Sequence, residues 1–257
     1  MRTVTATRYV TPLREGGSLP AVIEADDDGM YVMKFRGAGQ GAKALVAEVI
    51  AGELARLLGL PIPEIVLVEL DPDLARTEPD PEIQDLIRAS GGTNVALDYL
   101  PGAINFDPLV EQPDALLASS IVWFDALVAN VDRTARNTNL LLWHRRLHLI
   151  DHGAALYFHH DWASAGNAAA SPFARIADHV LLPLAARLRE ADAALAARIG
   201  DDDIERIVAQ VPDAWLAGEP MFADAAAYRQ AYADHLRARL RQRDAFVEEA
   251  IRAHGHL

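Results

Sequence analysis

The chain has 257 residues, of which 51% are hydrophobic and 24% charged, with a net charge of −13. Such a composition excludes disorder as a description of the whole, and the acidic balance argues against a nucleic-acid partner, which needs a basic footprint. The absence of cysteine excludes disulfides and thiolate metal sites.

The amino terminus lacks a signal-type apolar core, and no run approaches the roughly 18 apolar residues of a membrane span. A cytoplasmic protein without a membrane partner is expected. Of the basic residues only Lys34 and Lys43 are lysines. Genome bias toward arginine explains the skew, and it makes each surviving lysine a position of interest.

In chain order, strands are expected at Thr3–Val10, Ala21–Glu24 and Met30–Phe35, the last two joined by the turn Asp26-Asp27-Asp28-Gly29. They form an antiparallel meander. Gly37 to Lys43 is a flexible connection that fails the spacing of a phosphate-binding P-loop. Ala44–Leu58 has apolar residues at helical spacing and is stopped by Gly59 and Pro61. A strand at Ile65–Leu70, a proline-rich loop over 71–81, a short helix at Glu82–Ala89 and a strand at Thr93–Leu100 follow.

Beyond Pro101-Gly102 the character changes. Ala115–Ala129 is an apolar helix, Leu140–Trp143 and Leu147–Ile150 form a hairpin, and the remainder is mainly helical. In the last long segment, Asp224 to about Ala253, Tyr228, Tyr232, Leu236 and Leu240 share one helix face. The arginines around 236–243, mixed with acidic residues, read as a solvated face. The expected architecture is α+β and two-lobed. A small β-rich N-lobe with one helix spans 1–101, a mainly helical C-lobe spans 102–257, and a cleft lies between them.

Asp132 is followed five residues later by Asn137, then by the hairpin, then by Asp151-His152-Gly153. Any one of these residues alone is an ordinary loop residue. As a set they suit phosphoryl transfer, in which one carboxylate orients the acceptor hydroxyl while an amide and a second carboxylate hold magnesium. The hairpin would bring 137 and 151 to the same end of a small sheet. The histidines at 144, 148, 152, 159 and 160 are candidate zinc ligands by residue type, but no H-E-x-x-H pattern supports such a site.

The loop D-x-x-x-x-N followed by D-x-G resembles the protein-kinase-like superfamily. With the phrase LVAEVIAGELARLLGLPIPE, it is most similar to the HipA-like serine/threonine kinases, over about residues 8–160. The resemblance implies Asp132 as catalytic base and Asn137 and Asp151 as magnesium ligands. It also implies a lysine on an N-lobe strand, paired with a glutamate on the next helix, to contact the ATP phosphates. Lys34 fits that place. Glu48 is the expected partner and Glu53, about 140° around the helix, the solvated alternative. Gly16, Gly17 and Ser18 would cradle phosphate, and Asp98, Tyr99 and Leu100 would form the hinge that meets adenine. ATP and Mg2+ are the implied cofactors. The acceptor is a hydroxyl of a protein, serine or threonine, or of a small molecule, and a regulatory protein partner is a further expectation. The rival expectation is a catalytically silent nucleotide-binding module acting through a protein partner.

Overall fold

In the computed structural model, residues 1–13, 19–39 and 41–256 are described. Strands β1 (Thr3–Pro12), β2 (Ala21–Ala25) and β3 (Met30–Lys34) form the expected meander, turning at Asp28 and Gly29. Helix α1 (Gly41–Leu57) then leads to β4 (Ile65–Leu70), a 3₁₀ turn at Pro72–Thr77, helix α2 (Pro81–Ala89) and β5 (Gly92–Asp98). Asp80 caps α2 by accepting from the Glu82 N–H, with Pro81 in the first turn.

These strands close on themselves in the order β1-β2-β3-β5-β4, because β1 also pairs in parallel with β4, Thr3 opposite Leu67. Local alternation does not reveal that closure, which joins strands some sixty residues apart in sequence. Val4, Ile23, Met33, Phe35, Val66 and Val68 fill the barrel, and Ile83 and Ile87 of α2 extend the same cluster.

Helix α1 is buried from Leu45 through Ala55 and packs on β4 and β5. It belongs to a second, larger core shared with the helical half. A helix enclosed on all sides is apolar all round, which explains its weak amphipathic pattern.

After β5 the chain forms strand β6 (Ile104–Asn105), helix α3 (Ala115–Leu127), the hairpin β7 (Leu140–Trp143) and β8 (Arg146–Leu149), then helices α4 (Ala165–Ala169), α5 (Leu188–Ala196), α6 (Asp201–Val208), α7 (Ala225–Arg241) and α8 (Asp244–His254). Too short to signal itself in the sequence, β6 pairs with β7 to make a three-stranded sheet. The hairpin turns through His144 and Arg145, both with positive φ (47° and 62°), as a two-residue type I′ turn requires. Neither is the glycine or asparagine that normally marks such a turn.

The long carboxy-terminal helix expected over 224–253 is two helices. The chain breaks at Gln242-Arg243, and α8 folds back so that Phe246 meets the Trp123 ring edge-on at 5.8 Å. The arginine face of α7 also differs from expectation. Arg239 is 2% exposed, donates to the carbonyls of Ala126 and Leu127 at the end of α3 and to that of Ser171, and covers the Phe246 ring. Its burial lowers the guanidinium pKa to about 10. The open carbonyls at a helix C-terminus attract a cation, and here they hold one inside the core. Among the described residues, no helix is long and apolar enough to cross a membrane.

Candidate functional site

Lys34 ends β3, opposite Val95 of β5, and is nearly enclosed. Its ammonium donates to Oε2 of Glu48 at 2.6 Å and to Oδ1 of Asp151. Glu48 is fully buried on α1 and accepts two further contacts from the residue after Asp151. The His152 N–H donates to Oε2 at 2.9 Å, and Nδ1 of the same histidine lies 3.3 Å from Oε1.

Burial alone would push the Glu48 carboxyl up, but the Lys34 ammonium and the His152 contacts outweigh it and hold the pKa down to about 2. Burial likewise pulls on the Lys34 ammonium, and the two carboxylates outweigh it and hold its pKa above the ordinary lysine range. At neutral pH Lys34 and Glu48 therefore stand as a charged pair, and the Asp151 side chain completes a triad with them. Glu53, expected on a solvated face, is 2% exposed. It points away from Lys34 and accepts from Arg56 at 2.5 Å and from Gln210 at 3.4 Å, because the side of α1 opposite Lys34 faces the helical half rather than water.

The hairpin register sets Leu140 against Leu149, and the Ile150 N–H donates to the Asn139 carbonyl at 3.1 Å. The loop holding Asp132 and the residue Asp151 therefore meet at one end of the sheet. Asp151 has φ +55°, a left-handed conformation that costs a non-glycine residue about 1–2 kcal/mol. Its carboxylate reaches Lys34 from there, and its side chain is 42% exposed, so the triad opens to solvent on this side. A Cβ built on Gly153 would stand 3.6 Å from the Lys34 Nζ, which makes this glycine a wall of the same small space.

Asp132 uses one oxygen within the loop. Its Oδ2 accepts from Asn137 Nδ2 at 2.8 Å and from Asn139 Nδ2 at 3.2 Å. The Thr134 N–H closes the loop on the Asn137 carbonyl at 2.9 Å. Among the described residues Oδ1 of Asp132 has no partner, and Asn137 is exposed. Asn139 was not singled out from the sequence, although its spacing of two from Asn137 puts both amides on one carboxylate.

The segment Asp98-Tyr99-Leu100 leaves the barrel at the end of β5, where Asp98 stands opposite Tyr31. The Asp98 N–H donates to the Glu64 carbonyl at 2.8 Å and the Tyr99 N–H to that of Met30 at 2.9 Å. Both donors are therefore engaged, whereas the Leu100 N–H has no partner among the described residues. Trp143 Nε1 donates to the Pro101 carbonyl at 3.1 Å and ties the segment to the hairpin. Gly16, Gly17 and Ser18 lie outside the described residues.

The second lysine also acquires a place. Lys43, in the first turn of α1, donates to the His159 carbonyl at 2.7 Å and pairs with Glu219 at 3.0 Å. The histidines are dispersed. His144 and His148 pack on Trp143, and His159 is buried with Nδ1 3.1 Å from the Tyr232 hydroxyl. Burial lowers the His159 pKa to about 3. Among the described residues no three His, Asp or Glu side chains are grouped to hold a metal ion.

The fold has known counterparts. A proinflammatory kinase of Helicobacter pylori, CtkA, is similar over 97% of this chain and 98% of its own, with a TM-score of 0.59 and 14% identity. Golgi casein kinase, in a crystal structure with Mn and ADP bound, is similar over 96% of this chain and 74% of its own, with a TM-score of 0.52 and 12% identity. At such identities the likeness shows a protein-kinase-like fold, with its β-rich and helical lobes. No curated protein matches the sequence. The family model described as HipA-like kinase matches residues 7–249, nearly the whole chain, and the protein belongs to that family.

Proposed function

We propose that the protein transfers the γ-phosphoryl group of ATP, with Mg2+, to a hydroxyl acceptor, and that the acceptor class is serine or threonine of a protein. One observation carries the reading. The buried Lys34–Glu48 pair reaches Asp151, while the hairpin that presents Asp151 also presents Asp132 and Asn137. A structural ion pair in a core has no need of a third, solvent-facing carboxylate on a strained backbone.

Each residue has a role in this reading. Glu48 keeps the Lys34 ammonium in place, and Lys34 exchanges its bond to Asp151 for one to the nucleotide phosphates. A compact ammonium suits that exchange better than a forked guanidinium. Asp132 accepts the proton of the acceptor hydroxyl through its free oxygen. The hydroxyl oxygen forms its bond to phosphorus, the bond between the γ-phosphorus and the bridging oxygen breaks, and ADP leaves with that electron pair. Asn137 holds Asp132 in position through Nδ2.

The donor set suits a hard cation, since Asn137 and the released Asp151 offer oxygen ligands and leave room for water and phosphate. Magnesium bound there would neutralise charge on the phosphate oxygens. Leu100 would offer its N–H to adenine.

The test is label transfer. ATP with Mg2+ should raise the melting temperature, and γ-labelled ATP should label a protein in cell extract or the chain itself. Asp132→Ala should keep the thermal shift and lose transfer by 10²–10⁴-fold. Thermal stabilisation with no transfer to any protein would refute the protein-kinase reading.

A further inference from the structure

One buried pair has no part in the chemistry above. Asp125, near the end of α3, and Arg133, the neighbour of Asp132, both have side chains wholly removed from solvent. Nε of Arg133 lies 2.5 Å from Oδ2 of Asp125, and Nη2 lies 3.4 Å from Oδ1. A buried ion pair seldom adds net stability over apolar side chains of the same volume, because both charges must be stripped of water. The informative question is what the guanidinium holds besides its counter-ion. Nη1 donates to the Asn139 carbonyl and, at 3.4 Å, to the Ile150 carbonyl. Asn139 touches Asp132 through its amide, and Ile150 precedes Asp151. A single planar cation thus spans the loop that carries Asp132 and the segment that leads into Asp151.

The carboxylate of Asp125 is equally committed. Asn130 Nδ2 donates to Oδ1 at 2.9 Å, while Oδ1 of Asn130 accepts the Asp132 N–H at 3.1 Å. His179 Nε2 lies 2.9 Å from Oδ2. Because Nδ1 of that ring accepts from the Leu181 N–H at 3.0 Å, the proton sits on Nε2 and points at Asp125. His179 also bridges to Thr134, and the Val180 N–H donates to the Arg133 carbonyl at 3.1 Å. Asp125 therefore holds the backbone before Asp132 through Asn130, the residue after it directly, and the strand-like segment alongside through His179.

We propose that the Asp125–Arg133 pair is the positioning element of the active site. It fixes Asp132 relative to Asp151, so that the carboxylate facing the acceptor and the one facing the metal stay in register. The proposal rests on the phosphotransfer reading above. Arg133 touches no reacting atom and is a positioning residue. Lysine is a poor substitute, since one ammonium on a flexible stem cannot hold a carboxylate and two carbonyls in a single plane.

Arg133→Lys tests this in the full-length protein. It should lower kcat at least about 30-fold while the Kd for ATP with Mg2+ changes less than threefold. In an Asp132→Ala background the same change should lower residual transfer by less than threefold, because the carboxylate it positions is gone. The doubly neutral Asp125→Asn/Arg133→Met protein, which leaves no lone buried charge, guards against a folding failure. It should remain folded at the assay temperature and show the same loss of kcat.

Parent-like kcat in both variants would overturn the proposal. So would losses that multiply fully with Asp132→Ala, or that track nucleotide affinity and melting temperature, since these mark packing alone. A parent that transfers no phosphate, or an Asp132→Ala protein as fast as the parent, would instead overturn the phosphotransfer reading and the proposal with it.

Discussion

Replacing Glu48 by glutamine keeps the side-chain shape and removes one fully buried charge. In the parent, the carboxyl is held at about 2 against an ordinary 4.5 by the Lys34 ammonium and the His152 contacts. A carboxyl held that far below its ordinary value corresponds to about 3 kcal/mol of stability. That agrees with the roughly 3–5 kcal/mol expected on removing one partner of a buried pair. The sign follows from the depressed pKa. The contribution is complete above the unfolded value near 4.5 and disappears as pH falls toward about 2. Denaturant unfolding of parent and Glu48→Gln should therefore differ by about 3 kcal/mol at pH 7 and by less than half of that at pH 3. A difference that stays constant over this interval would mean that the variant lost shape rather than charge, and the electrostatic argument would fail.

Other substitutions probe the same geometry from different sides. Lys34→Arg should abolish the thermal shift produced by ATP with Mg2+, because a guanidinium cannot fit between Glu48 and the wall at Gly153 and still reach phosphate; a parent-like shift would contradict this. Asp151→Asn should leave little divalent-dependent nucleotide affinity, measured by titration calorimetry with and without a chelator, and undiminished affinity would remove Asp151 from the metal site. Arg239→Met should destabilise the fold by roughly 2–4 kcal/mol, since it uncovers buried carbonyls at the end of α3. In a chain of this size that lowers the melting temperature by roughly 5–15 °C, and an unchanged value would show that water replaces the guanidinium at no cost.

The elements that announce themselves locally were readable from the amino-acid sequence. The β-branched run at 65–70, the helical spacing after Lys43 and the hairpin after Asn139 all lie where short-range pattern puts them. Lys34, Glu48 and Asp151 stand at recognisable spacings, and the structure brings their charged ends together. What escaped the sequence depends on partners distant along the chain. Parallel pairing of β1 with β4 leaves no mark in either strand. The break at 242–243 follows from α8 packing on α3 rather than from a proline or glycine. Glu53 and Arg239 read as solvated charges because local pattern cannot show that a neighbouring element will cover them. Asp125 lies within the apolar helix and carries no local signal, since the Arg133 and His179 that complete it lie eight and fifty-four residues away.

Helix α1 answers to both halves of the molecule. It lies against the barrel, yet Lys43 ties its first turn to His159 and Glu219, Glu53 meets Gln210, and Arg198 donates at 2.6 Å to the carbonyl of Leu58 just past its end. Trp215 adds a bond to the Thr93 carbonyl at 2.9 Å, and Gln210 accepts from the amino terminus of the chain at 2.8 Å. A helix pinned at its start, middle and end cannot swing out while the barrel stays in place. The Lys34–Glu48 contact is therefore not an independent joint that can open and close cheaply. Any opening wide enough to part the two charges must also strip several ties on the far side, so heat should melt barrel and helices in one calorimetric transition rather than two.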